Sequence, residues 1–234
     1  MNIIRKFKKI IKAYRWIQTA FPLKEQFGSC GTNTIILYPL RIYSPSSVYI
    51  EENVKISSGL HILNAPGEKV IIKKYSVFAA NCTIITNNHK STCTIPQFLL
   101  GASHVNDISK DTIINEDVWL GYGVTLMPGV HIGRGCVIGA GSIVTKSLPP
   151  YAIAIGSPAK IVKKTFTIEQ ILLHEQALYP ENERYDKENL ERNEEQYFMG
   201  LESYGKNFDI DECSKQHLEK IRKQLHFIEG ERDK

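Results

Sequence analysis

The chain has 234 residues, 42% of them apolar and 23% charged, with a formal net charge of +4. Those proportions fit one large globular domain with an appendage and exclude a disordered or collagen-like chain. The mild basic excess, without a domain-wide basic tract or an aromatic RNA motif, argues against nucleic acid. No run approaches the roughly 18 apolar residues of a spanning helix.

Residues 1–22 open the chain with MNIIRKFKKIIKAYRWIQTAF. Ile3, Ile4, Phe7, Ile10, Ile11, Tyr14 and Ile17 recur at steps of three and four, so they share one helical face. Arg5, Lys6, Lys8, Lys9, Lys12 and Arg15 fill the rest. Two readings stand: an amphipathic helix packed on the main domain with a solvated basic face, or one lying on an anionic membrane surface through residues 1–20. There is no uninterrupted apolar leader segment, and the five cysteines form no CxxC pair. A reducing, cytoplasmic setting is therefore expected, at most peripheral to the inner face of the membrane, and a zinc knuckle is not.

From about residue 42 the period changes to six. In INEDVWLGYGVTLMPGVHIGRGCVIGAGSIV, the residues Ile114, Leu120, Leu126, Ile132, Ile138 and Val144 stand six apart. Four places after each of the first five come Val118, Val124, Val130, Cys136 and Ser142. A six-residue repeat is the mark of a parallel β-helix. The aliphatic points inward onto its equivalent in the next coil, and the small residue fits the tight inner corner. Gly121, Gly133 and Gly139 follow the aliphatics and are expected to supply backbone angles other residues avoid. Ile50, Ile56 and Ile62, then Ile72, Phe78 and Ile84, carry the same frame earlier.

Between Ile84 and Ile114 the frame stays in phase but the pattern is lost. Residues 85–113 read as a loop thrown out from the solenoid, and long irregular loops are usually functional or disordered. His89 stands at its mouth in ITNNHK, after Asn87 and Asn88. After Val144, Pro149 and Pro150 end the regular coils, AIAIG is a further strand, and Gly156, Ser157 and Pro158 make a turn. Thr167 with Gln170 forms a capping box, and helices are expected near 186–203 and 214–228. The chain thus divides into an N-terminal helix (1–22), a β-helix domain (30–165) and a C-terminal helical region (166–234).

Several motifs are missing. Gly133 and Gly135 lack the third glycine of a dinucleotide fingerprint, since position 138 is isoleucine. There is no Walker A lysine, GxSxG or HExxH. The histidines show no tight cluster of the zinc-triad kind, and His104 and His131 read as structural.

The blocks DVWLG, MPGV, IGAGSIVTK and GSPAK, in that order and spacing, resemble the hexapeptide-repeat acetyltransferases. The nearest types are the maltose/galactoside O-acetyltransferases and the streptogramin (xenobiotic) acetyltransferases. The resemblance covers about residues 70–165 closely and 42–70 loosely. It implies a mainly β chain built on a left-handed parallel β-helix. It also implies a homotrimer with active sites between subunits, acetyl-CoA as donor, no metal, and one histidine at an extruded loop as general base. His89 matches that histidine. Trp119, Tyr122, Ala140, Thr145 and Pro158 match positions along the donor, and Lys160 and Lys163 match basic positions near its phosphates. Galactoside acetyltransferases hold the sugar with an upstream asparagine. Gly59 falls there in this chain, with His61 and Asn64 nearby as substitutes and Asn87 and Asn88 as further acceptor contacts.

The chemistry this implies is O-acetylation of a saccharide, in building a surface polysaccharide. A neutral imidazole, ordinarily with a pKa near 6.5, takes the proton of the attacking hydroxyl. The alternatives are acetylation of a streptogramin-like antibiotic, N-acetylation of an amino sugar, a γ-carbonic-anhydrase-like metal enzyme, and a non-catalytic scaffold. The acceptor itself is not legible.

Overall fold

Every aliphatic of the six-residue frame lies in a short strand and faces a common interior. A computed structural model describes residues 3–65 and 67–225. Ile114, Leu120, Leu126, Ile132, Ile138 and Val144 are all buried, as are the earlier members Ile50, Ile56, Ile62, Ile72, Phe78 and Ile84. Stacking such side chains is what holds the coils together, at about 1.5–3 kcal/mol for each one fully buried.

The strands form three parallel sheets, one to a side. The first runs through Ser29–Cys30, Val48–Ile50, Val70–Ile72, Thr112–Ile114 and His131–Ile132. The second takes Ile35–Ile36, Lys55–Ile56, Val77–Phe78, Trp119–Leu120, Val137–Ile138 and Ala152–Gly156, with Ala159–Lys164 added antiparallel at its edge. The third holds Arg41–Ile42, His61–Leu63, Thr83–Ile85, Thr125–Leu126 and Ile143–Val144. Regular pairing thus begins at Ser29, earlier than the period shows, because Cys30 and Ile36 are only half-buried. Register fixes the turn length. Ile114 pairs with Ile132, a turn of 18 residues, whereas Ile72 pairs with Ile114, a turn of 42. The surplus is the excursion between the third and fourth coils.

That excursion is not irregular throughout. Asn87–Asn88 pairs antiparallel with Ile108–Ser109, and helix α2 (Gln97–Ser103) lies between them with Leu100 fully buried. The apolar anchor was hidden in IPQFLLGA, where Phe98 and Leu99 stay exposed beside it.

The glycine expectation needs correction. Left-handed φ angles fall at Gly123, Gly129, Gly135 and Gly141, six apart at the corners, with Asp117 in the same slot. Gly121 and Gly133 serve close approach instead. A Cβ on Gly121 would stand 2.7 Å from the Ala140 nitrogen, and one on Gly133 would stand 2.4 Å from that of Pro150.

The C-terminal region packs back on the coils. Helix α3 (Ile168–Leu178) starts at Thr167, whose hydroxyl accepts from the Gln170 N–H. The expected second helix is α4 (Lys187–Asn193), continued by a π-turn over Glu194–Phe198. The last is α5 (Glu212–Gln224); residues 226–228 lie outside the described residues. Arg134 clamps this region to the solenoid. Its Nε donates to Glu116 Oε2 at 3.0 Å, and its Nη1 donates to Glu175 Oε2 at 2.7 Å and the Glu183 carbonyl at 2.9 Å. The guanidinium sits 3.9 Å from the Tyr179 ring centroid, and Tyr151 donates its hydroxyl to Glu175 Oε1 at 2.5 Å.

The N-terminal segment forms helix α1 (Ile3–Ala20), joined to the first coil where the Leu40 N–H donates to the Ala20 carbonyl. Ile11, Tyr14, Trp16 and Ile17 are all at least half exposed. The side chains of Ile3, Ile4, Phe7 and Ile10, and of Arg5, Lys6, Lys12 and Arg15, lie outside the described residues. Among the described residues, no helix is long and apolar enough to cross a membrane.

Candidate active site

The site forms where the excursion leaves and rejoins the solenoid. Strand Thr83–Ile85 runs on to Asn87 and Asn88, which pair with Ser109 and Ile108. The next position outward on each arm is His89 on one side and Asp107 on the other. His89 Nδ1 and Asp107 Oδ1 are 2.7 Å apart. His104, left-handed (φ 55°) at the end of α2, brings its own Nδ1 to 2.9 Å from the other carboxylate oxygen. The two imidazole centroids are 5.3 Å apart.

Hydrogen bonding from His89 first, then from His104, holds the Asp107 carboxyl below its ordinary 3.8. An ionised carboxylate only accepts, so each Nδ1 must donate to it. The proton of neutral His89 is thereby fixed on Nδ1, and Nε2 keeps its lone pair. His89 remains 39% exposed, so that nitrogen is reachable. This convergence corrects the reading of His104 as structural, and the spacing of the histidines along the chain gives no sign of it or of Asp107. The available signal was a carboxylate at the far mouth of the excursion, just before the chain rejoins the solenoid at Thr112.

The other acceptor-side residues divide. Asn87 is half-buried and Asn88 exposed beside His89. His61 lines up with Arg41 and Thr83 on the outer face of the third sheet. It stacks on Tyr43 with centroids 5.8 Å apart, and burial first, then Arg41, pushes its pKa below 6.5. Asn64 does not fit the role expected of it. It is buried; its Oδ1 accepts from the Ser44 N–H at 3.0 Å and its Nδ2 donates to the Ser44 carbonyl at 2.8 Å. An amide bound on both sides to one backbone residue brackets a turn, and the side chain that carries its remaining N–H and lone pair is buried. Gly59 sits at a left-handed corner (φ 80°), where a Cβ would collide with Asn81 Oδ1 at 2.0 Å.

Of the residues expected along the donor, Trp119, Lys160 and Lys163 lie on strands of the second sheet, whereas Thr145 follows Ile143–Val144 of the third. Trp119 faces outward and is 56% exposed; register places Val137, Ile153 and Lys163 beyond it in one column. At about 4.8 Å per strand, Lys163 stands ~14 Å from Trp119. The column therefore runs from an aromatic through two branched aliphatics to a cation, the order of chemistry that suits an acyl-pantetheine arm ending in phosphates. Lys163 also pairs with Glu202 at 3.3 Å on the surface, while Lys160 is exposed. Tyr122 is exposed and its hydroxyl accepts from Asn81 Nδ2 at 2.6 Å. Ala140, Thr145 and Pro158 are exposed.

Comparison with known proteins gives a consistent picture. The family model for bacterial transferase hexapeptide (six repeats) matches residues 111–146. A putative acetyltransferase of Saccharomyces cerevisiae is 34% identical over 142 residues, which is 61% of this chain and 68% of the relative. A probable macrolide acetyltransferase of Lysinibacillus sphaericus is 40% identical over 117 residues, 45% of this chain. The match spans 65% of that relative, just under two thirds. Among solved structures, a maltose O-acetyltransferase from Clostridium difficile superposes with a TM-score of 0.55 at 26% identity, over 70% of this chain and 88% of that one.

Proposed function

The chain belongs to the hexapeptide-repeat acetyltransferase family, and on that premise we propose that it moves the acetyl group of acetyl-CoA to a hydroxyl of a sugar, with His89 as the general base. The observation that carries this reading is the His89–Asp107 pair at the mouth of the excursion. Acetyl-CoA supplies the activated acyl group as a thioester. Asp107 holds the Nδ1 proton; Nε2 of His89 accepts the proton of the acceptor hydroxyl as its oxygen bonds to the thioester carbon. As the C–S bond breaks, the same nitrogen returns the proton to the departing sulfur. No acyl-enzyme is required, and burial pushes the thiols of Cys82 and Cys136 up to about 11 and about 12, out of nucleophilic range.

Trp119, Tyr122, Ala140, Thr145 and Pro158 line the donor in this reading, with Lys160 and Lys163 toward its phosphates. Asn87, Asn88 and His61 face the acceptor. The solenoid (residues 30–165) winds left-handed and assembles as a trimer, so that a neighbouring subunit covers the exposed Trp119 and Tyr122 and completes each site. The N-terminal helix rests on an anionic membrane from the cytoplasmic side, near a polysaccharide precursor. The 26% likeness to a maltose O-acetyltransferase supports a saccharide acceptor. A second reading, an antibiotic acceptor, has the macrolide relative behind it.

Release of CoA measured against a panel of sugars, amino sugars and antibiotics separates these acceptors. His89→Ala is expected to lower transfer by about 10²–10⁴-fold while circular dichroism and assembly stay unchanged. A wild-type rate in that variant rules out the mechanism.

A further inference from the structure

His89, His104 and Asp107 do more than pair. One ligand-capable atom from each lies within 4.8 Å of the other two. Among the described residues they are the one such trio of histidine, cysteine or carboxylate side chains: two imidazoles and one shielded carboxylate. The carboxylate is 15% exposed, against 39% for His89 and 63% for His104. His104 takes a left-handed backbone (φ 55°) at the end of α2, a region in which asparagine, aspartate and histidine are all enriched, and its Nδ1 lies 2.9 Å from Asp107. Nothing in the acetyl-transfer mechanism calls for a second imidazole on the same carboxylate.

We propose that these three side chains form a zinc site, and that zinc bound there switches off the general base. The inference rests on the reading of His89 given above. Nitrogen and carboxylate donors suit Zn²⁺, whereas calcium and magnesium prefer all-oxygen shells. Three protein ligands leave a fourth position for water. The consequence for His89 follows from its tautomer. A metal on Nδ1 displaces the proton that Asp107 now holds. The neutral ring then carries its single proton on Nε2, so no net proton is lost, but the lone pair that must accept the hydroxyl proton is gone. Zinc and catalysis compete for one imidazole in two tautomers.

The test uses the full-length chain in the Cys93→Ser, Cys213→Ser background, because both thiols are exposed and a free thiolate is itself a zinc ligand. Zinc binding is measured by calorimetry against a competing chelator. Imidazole ¹H–¹⁵N spectra report which nitrogen of each ring carries the proton. One zinc per chain is expected, with His89 moving from the Nδ1–H to the Nε2–H form. His104→Ala should weaken binding at least tenfold and make its own metal-free rate insensitive to micromolar zinc. EDTA should restore the parent. The proposal fails if zinc does not bind in the micromolar range, if His104→Ala binds as well as the parent, if the His89 tautomer is unmoved, or if a filled site leaves transfer unchanged or faster. Failure of the parent reading looks different: zinc binds and shifts the tautomer, yet the metal-free chain releases no CoA with any acceptor.

Discussion

Asp107 exerts on His89 the influence that one well-placed hydrogen bond can exert at an open site: it selects a tautomer. Asp107→Asn tests this at the scale of the residue. An amide of the same shape can either donate or accept, so it no longer forces the proton onto Nδ1. The expected result is a fall in kcat of about 10–100-fold, smaller than the ~10²–10⁴ carried by the base itself, with the KM for acetyl-CoA within about twofold. An unchanged kcat excludes the positioning role. The pH dependence has a definite sign. The folded carboxyl lies below its ordinary 3.8. Its support for His89 is therefore present above that value and lost only as pH falls through the folded value. Above about pH 8 Asp107 does not change charge and an ordinary imidazole is already neutral, so the deficit of Asp107→Asn should be the same factor from there to about pH 9.

At the scale of the element, Arg134 decides how α3 and the tail stay docked. Burial alone would raise the Glu116 carboxyl, but its own backbone N–H, Lys73 and Arg134 outweigh that and hold it below 4.5. That share of stability is present above 4.5 and disappears as pH falls through the folded value. Arg134→Ala leaves Glu175, only 1% exposed, without its cation. Breaking a buried pair from one side costs about 3–5 kcal/mol, and Arg134→Lys, which keeps charge but loses the fork, should fall between. Urea unfolding measures both; a loss under about 0.5 kcal/mol for the alanine variant means the clamp is ornamental. This element also marks what the sequence could and could not disclose. The rungs from Ile114 to Val144 were legible because each repeats the same local demand, an inward aliphatic every six residues. The Thr167 cap was legible because its bonds span three residues. Arg134, Glu116 and Glu175 were not, because they join a solenoid corner to a distant helix. Asp107 and His104 were not, because a chain reversal inside the excursion brings them to His89. The bonds of Asn64 were hidden for the same reason: its partner, Ser44, lies one coil away.

At the scale of the molecule, the solenoid is a stack whose two ends are treated differently. The C-terminal end carries the antiparallel Ala159–Lys164 strand, with Phe198 of the π-turn packed into the core cluster, while α3 lies along a corner of the coils beside Asp117 and Arg134. The N-terminal end carries α1, and four of its described apolar side chains stay exposed: Tyr14 and Trp16 are 61% and 62% exposed, and Ile11 and Ile17 are each half exposed. Exposed Lys8 and Lys9 precede them. Aromatic and aliphatic groups with flanking cations suit the boundary between anionic headgroups and acyl chains, where each basic residue near the surface contributes about 1 kcal/mol. The alternative cover is a second copy of the chain. Flotation with vesicles containing phosphatidylserine, against vesicles of phosphatidylcholine alone, separates the two. The full chain should float with the anionic vesicles, lose most of that binding in high salt, and lose it entirely when residues 1–20 are removed, with acetyl transfer to a soluble acceptor unchanged. Equal flotation with and without residues 1–20 would reject the membrane role, and a smaller assembly on truncation would assign the helix to the subunit interface instead.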